Sequence, residues 1–80
     1  MTVRVLLFAS YADVLGSATL DVDVPDEATV GDVLASVRAL PGTERLPPAP
    51  LMVVNQRYAT AATRVGRNDE VAIIPPVAGG

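Results

Sequence analysis

The chain has 80 residues, half of them hydrophobic, and a net charge of −3, which fits one small folded domain and excludes a disordered tail or a long multidomain enzyme. It holds no cysteine and no histidine, and all six basic residues are arginine. That excludes disulfides, thiolate nucleophiles, imidazole bases and lysine Schiff bases, and the absence of a basic patch argues against nucleic acid as a partner.

Met1 to Ala9 reads as a strand, with Val3, Val5 and Leu7 on one face and Arg4, Leu6 and Phe8 on the other. Both faces are largely apolar, as expected of a central strand. Ala9 to Leu15 reads as a short helical turn closed by Gly16, where Ser10 and Asp13 serve as turn and capping residues. A Ser-Asp pair here has no histidine to complete a catalytic set.

Ala18 to Val24 alternates Leu20, Val22 and Val24 with Thr19, Asp21 and Asp23, a half-buried strand that forms a hairpin with the first through residues 10–17. Asp21 and Asp23 lack further ligands for a metal and read as a solvated edge that discourages aggregation. After a turn at Pro25 to Ala28, Thr29 and Asp32 have the spacing of a capping box, Asp32 standing where Glu or Gln is usual. Val30, Val33, Leu34, Val37 and Leu40 then make one apolar helical stripe, which Pro41-Gly42 ends.

Gly42 to Pro50 holds three of the seven prolines and reads as a stiff connector. Leu51 to Val54 reads as a short buried strand, Asn55-Gln56 as a turn, and Arg57-Tyr58 as the start of a return strand. Ala59 to Val65 carries little pattern. Gly66 to Asp69 is a turn in which Asn68 is expected to take positive φ, and Glu70 to Ile74 is the last strand. One main helix covers one face of such a mixed sheet. With Val3, Val5, Leu7, Val71 and Ile73 toward the helix, Leu6, Phe8, Ala72 and Ile74 lie on the open face, an apolar patch of the kind that marks a protein interface.

The chain then runs directly into Pro75-Pro76-Val77-Ala78-Gly79-Gly80. The prolines end the strand's ladder and hold the start of the tail extended, and the glycines let the backbone enter a channel too narrow for side chains. Six extended residues reach roughly 20 Å. The residues therefore divide into a body, 1–74, and a tail, 75–80, whose carboxylate is the group presented for chemistry.

Val3 to Ala9, Val54-Asn55-Gln56 and Asp69 to Gly80 together resemble the MoaD/ThiS family of sulfur carriers, and the Pro-Pro-Val-x-Gly-Gly ending is closer to the MoaD branch. The resemblance covers the whole chain. It departs at Arg67-Asn68-Asp69-Glu70, where the family often has Asp-Gly-Asp-Glu, and at Ile73 and Ile74, where large aromatics are common. It implies an α+β, ubiquitin-like β-grasp fold and a carrier that is not an enzyme on its own. A MoeB-like adenylyltransferase would use ATP to adenylate Gly80, and a sulfurtransferase would convert the adenylate to a thiocarboxylate. The tail, through Pro75, Pro76, Val77, Ala78 and Gly79, would then enter a MoaE-like large subunit, where the sulfur passes to cyclic pyranopterin monophosphate in molybdopterin synthesis. By position, Phe8, Tyr58 and Ile74 match the family's apolar contact surface. No metal, bound cofactor, nucleic acid or membrane is implied, and the cytoplasm is the expected compartment. Other readings are a sulfur carrier for thiamin or an amino acid, a ubiquitin-like protein modifier, and a plain interaction module.

Overall fold

A computed structural model describes residues 1–45 and 50–75; of Arg45 the backbone alone is described. The elements are β1 (Thr2–Leu7), α1 (Ser10–Leu15), β2 (Thr19–Asp23), α2 (Val30–Arg38), a 3₁₀ turn (Thr43–Arg45), β3 (Leu51–Val54), β4 (Arg57–Ala59) and β5 (Glu70–Ile74). The five strands form one sheet in the order β2-β1-β5-β3-β4. β1 pairs with β2 antiparallel and with β5 parallel, and β3 is antiparallel to both β5 and β4. A mixed sheet with the last strand at its centre and one main helix across it is the β-grasp arrangement.

Alternation along the strands decides the faces. Val3, Val5, Leu7, Val22, Met52, Val71 and Ile73 point to one side and meet Val30, Val33 and Val37 of α2; all ten are buried. Thr29 caps α2: its Oγ1 accepts from the Asp32 amide at 3.3 Å while the Asp32 carboxylate accepts from the Thr29 amide at 2.9 Å. The helix closes at Ala39, with Leu34 and Leu40 half-buried at the margin of the stripe. As expected, β2 is an edge strand with Asp21 and Asp23 exposed.

Four expectations need correction. Leu51 belongs to a strand that reads as buried, yet it is 40% exposed, because β3 turns Met52 inward and Leu51 outward. Ala72 is on the open face but is buried: its small side chain lies between Leu6 on β1 and Val53 on β3. Asn68 does not enter the left-handed region; the turn closes through Asp69, whose carboxylate accepts from the Gly66 amide at 2.6 Å. Ser10 does not cap α1; the N-cap is Ala9, at φ 49° and without a side-chain cap. Gly16 ends this helix in the left-handed conformation as expected.

The weakly patterned stretch between β4 and β5 is ordered largely by backbone hydrogen bonds, with one from the Thr60 amide to Thr63 Oγ1 at 3.1 Å. The Val30 and Gly31 amides, which a helix N-terminus leaves without helical partners, donate to Thr63 O at 2.8 Å and Ala61 O at 2.9 Å. Gly31 allows this approach, since a Cβ there would stand 3.2 Å from Ala61 O. The Val65 amide then donates to Ala28 O at 2.9 Å and delivers a buried valine to the core.

Candidate functional site

β5 is the central strand, so whatever follows Ile74 leaves from the middle of the sheet edge. Ile74 is half-buried, Pro75 follows it outside the ladder, and Pro76, Val77, Ala78, Gly79 and Gly80 lie outside the described residues. The exit is well defined. Leu7, the last residue of β1, pairs with Ile73, and the Phe8 amide just beyond it donates to Ile73 O at 3.3 Å. On the other side Leu51 pairs directly with Ile74. Ile74 and Leu51 thus form a cross-strand pair, and Phe8 follows on the other side of β5, just past the end of β1. Phe8 is 46% exposed and Leu51 40% exposed.

The next row on the same face is also apolar. Leu6, Ala72, Val53 and Tyr58 are cross-strand neighbours in that order, and Tyr58, on the edge strand β4, is 82% exposed. Among the described residues, Phe8, Leu51 and Tyr58 are the large hydrophobic side chains left exposed, and all three fall on this half of one face. The expected contact residues Phe8, Tyr58 and Ile74 are therefore brought together. Leu51 joins them, and reading the strand as buried on both faces concealed it. The signal that would have found it is its parity with Val53 and its place opposite the last residue before Pro75.

Beyond these rows the face changes character. Arg4 lies opposite Asp21 on β2, with Nε–Oδ1 3.5 Å, and next to Glu70 on β5. Arg4 and Asp21 are both largely exposed, so the pair contributes little to stability. Arg67, Asn68 and Asp69 continue this polar ground. The open face is thus apolar at the end where the chain leaves the sheet and charged at the other.

The far end of β5 is held by a compact set of polar contacts. Asn55 and Gln56 both take positive φ, 50° and 68°, as a tight hairpin turn between β3 and β4 requires. Asn55 Nδ2 donates to Asp69 Oδ1 at 2.8 Å, and its Oδ1 accepts from the Glu70 amide at 3.0 Å. These bonds, led by that from the Gly66 amide, hold the Asp69 carboxyl below its ordinary pKa. Tyr11 is fully buried at the start of α1, and burial pushes its phenol up against the pull of the Arg38 charge.

Among the described residues no group of three acidic side chains is placed to hold a metal, and no helix is long and apolar enough to cross a membrane. The described part of the chain stops at Pro75, beside an apolar surface.

The sequence matches the ThiS family over residues 5–80. It is 35% identical to the molybdopterin synthase sulfur carrier subunit of Dictyostelium discoideum, over 96% of this chain and 94% of that protein. It is 40% identical to small archaeal modifier protein 1 of Haloferax volcanii, over 92% and 95% of the two chains. The crystal structure of SAMP1 from Haloferax volcanii superposes with a TM-score of 0.85 at 35% identity, covering the whole of both chains. A β-grasp body, an exit at its central strand and a match that runs through the final glycine make one consistent picture: the chain belongs to the ThiS family.

Proposed function

We propose that the chain is the sulfur-carrier subunit of a molybdopterin synthase. The observation that carries this reading is that the central strand ends at Ile74, opposite Leu51, with the sequence Pro-Pro-Val-Ala-Gly-Gly next along the chain. Residues 1–74 serve as the body and 75–80 as the tail.

The chemistry follows from what the chain has and lacks. A carboxylate is a poor electrophile. An oxygen of the Gly80 carboxylate attacks the α-phosphorus of ATP on a MoeB-like enzyme, pyrophosphate leaves, and the acyl carbon now carries AMP as a leaving group. The terminal sulfur of a sulfurtransferase persulfide attacks the acyl carbon and displaces AMP, and a second thiol of the donor system then cleaves the acyl disulfide, ending in a disulfide itself and leaving a thiocarboxylate, a nucleophile that is ionised at neutral pH and needs no cysteine in the carrier. Gly79 lets the tail pass a narrow channel, and Pro75 and Pro76 keep it extended. A MoaE-like large subunit then takes the tail, and the sulfur is transferred to cyclic pyranopterin monophosphate. The domain supplies no catalytic side chain. Relatives named as sulfur carrier subunits at 33–35% identity support this reading.

The test is a reconstituted synthase supplied with Gly79→Ala or a chain lacking Gly80. Both are expected to remove molybdopterin formation, and full activity with either would sink the proposal. Relatives named small archaeal modifier proteins, one of them 40% identical, favour a second reading in which the same activated tail is joined to amines of other proteins. Both readings begin with adenylation. Stable adducts on many cell proteins, recovered with the tail attached, would favour the second.

A further inference from the structure

We infer that the hollow between β4 and the segment that follows it binds a small tetrahedral dianion, a phosphate or a phosphate monoester. The site lies apart from the apolar open face and the tail, and nothing in it depends on the function proposed above.

The hollow has a volume of about 620 Å³, within the range of small-ligand sites. Arg57 and Arg64 both line it. Arg57 pairs with Val54 across the hairpin and shares its parity with Ala59. Val54 and Ala59 both pack against the core, so Arg57 leaves β4 on the α2 side of the sheet. Arg64 comes from the segment laid over the start of α2, where it bridges to Thr29. Both arginines stand on backbone that is held in place. The Asn55-Gln56 turn fixes the start of β4, and on either side of Arg64 the Thr63 carbonyl is bonded to the Val30 amide and the Val65 amide to Ala28 O. Two cations thus share one opening in a chain whose net charge is −3. Like charges repel, so the fold gains nothing from bringing them together.

The hydrogen-bond inventory decides the ligand. Asp69 also lines the hollow, but its two oxygens already accept from the Asn55 side chain at 2.8 Å and the Gly66 amide at 2.6 Å. Asn55 is likewise engaged at both ends, by Asp69 and by the Glu70 amide. Arg57 has no ion-pair or hydrogen-bond partner among the described residues. Arg64 meets Glu27 at 3.7 Å, and both side chains are largely exposed, so that contact is weak and easily exchanged. The Thr63 hydroxyl, which accepts from the Thr60 amide at 3.1 Å, adds a donor to the same wall. What remains unengaged is chiefly donors and positive charge. A phosphate group presents acceptors on every side and about two negative charges, and guanidinium forks bind its oxygens two at a time. A monocarboxylate would neutralise one arginine and leave the other.

The test is a proton–nitrogen NMR titration of the whole chain at low salt, with inorganic phosphate and, separately, with AMP, against sodium chloride at matched ionic strength. Saturable shifts centred on Arg57, Thr63 and Arg64 are expected, with a Kd on the order of 1 mM. Arg57→Gln and Arg64→Gln are each expected to raise Kd about tenfold, and Arg4→Gln, on the opposite face, to leave it within about twofold. Glu27→Gln, which frees Arg64, is expected to lower Kd about threefold. The amide spectrum of each variant checks its fold, and Glu27→Gln carries the test of Arg64 should Arg64→Gln unfold. Equal or weaker binding of AMP would assign the site to the free ion, and tighter binding to the monoester. Shifts that chloride reproduces, or that do not saturate, overturn the inference, as does binding that survives both arginine substitutions.

Discussion

The two faces of the sheet are written in the same strands, one residue apart, and they end in different environments. Ile73 is fully buried against α2, while Ile74 is half-buried on the other side. Met52 is buried, while Leu51 and Val53 beside it are not. The helix side is closed by a stripe that the capping box starts at Thr29. The open side has equally apolar residues near the end of β5 and, among the described residues, no element across them. An apolar side chain contributes to folding only by the area it removes from water. Val, Leu and Ile of the same strands therefore contribute unequally, those facing α2 being closed off from water and those on the other face staying partly open to it. The difference is the second layer, which α2 supplies on one face only.

The sharpest way to break this comparison is to truncate neighbours on opposite faces. Ile73→Ala removes buried methyl groups from the centre of the core and is expected to lower stability by about 3 kcal/mol. In a domain of this size that is a large share of the total, and a fall of roughly 12–24 °C in Tm follows. Ile74→Ala, one residue on, is expected to lose about 1 kcal/mol, because its side chain already meets water. Equal losses at the two positions, read by urea denaturation, would mean that the open face is as much core as the helix side.

A smaller effect is expected at the polar end of β5, where stability comes from hydrogen bonds rather than from area. Asp69→Asn removes the charge that accepts from the Gly66 amide and the Asn55 side chain, and about 1 kcal/mol is expected from bonds partly open to water. The pH dependence has a definite sign. The folded pKa lies below the unfolded one, so the contribution is complete above the ordinary carboxylate range. It is lost as pH falls through the lowered folded value. The stability gap between wild type and Asp69→Asn should therefore close in acid; a gap that widens there would show that the carboxylate is not the group that matters.

These contrasts also mark how far the residues alone could be read. Period-two and period-3.6 patterns located β1, β2, β5 and α2, because a face that must be buried leaves its spacing in the sequence, while β3 was read from a short apolar run and β4 from the turn before it. The Asn55-Gln56 turn was legible for a similar reason, since tight hairpins favour residues that tolerate positive φ. The stretch from Ala59 to Val65 was not, because its order resides in amides of α2 bonded to Ala61 O and Thr63 O, and backbone groups leave no residue signature. Leu51 was misread because a strand that is apolar on both faces looks buried whether or not anything covers the second. Phe8 and Ile74 were legible from strand alternation, Tyr58 came from family resemblance alone, and the register places Tyr58 beside Val53 on the same face as Ile74.

Tyr58 gives the smallest expected effect on the fold and the most direct test of the open face. It sits on a three-residue edge strand opposite Val53 and is 82% exposed. So little of the ring is buried that its removal takes almost nothing from the core. Tyr58→Thr keeps strand propensity and should change stability by no more than about 0.5 kcal/mol, a shift of a few degrees in Tm. A large amphipathic ring at the margin of an apolar patch is, by contrast, the kind of residue on which interfaces depend. The same substitution should weaken capture by the adenylating enzyme several-fold, with the loss in KM rather than in kcat. A fold left intact and a weaker complex would assign the ring to the partner's side of the comparison. A fold weakened by 1 kcal/mol or more, with KM unchanged, would return it to the domain's own packing and move the boundary between the two faces one strand inward.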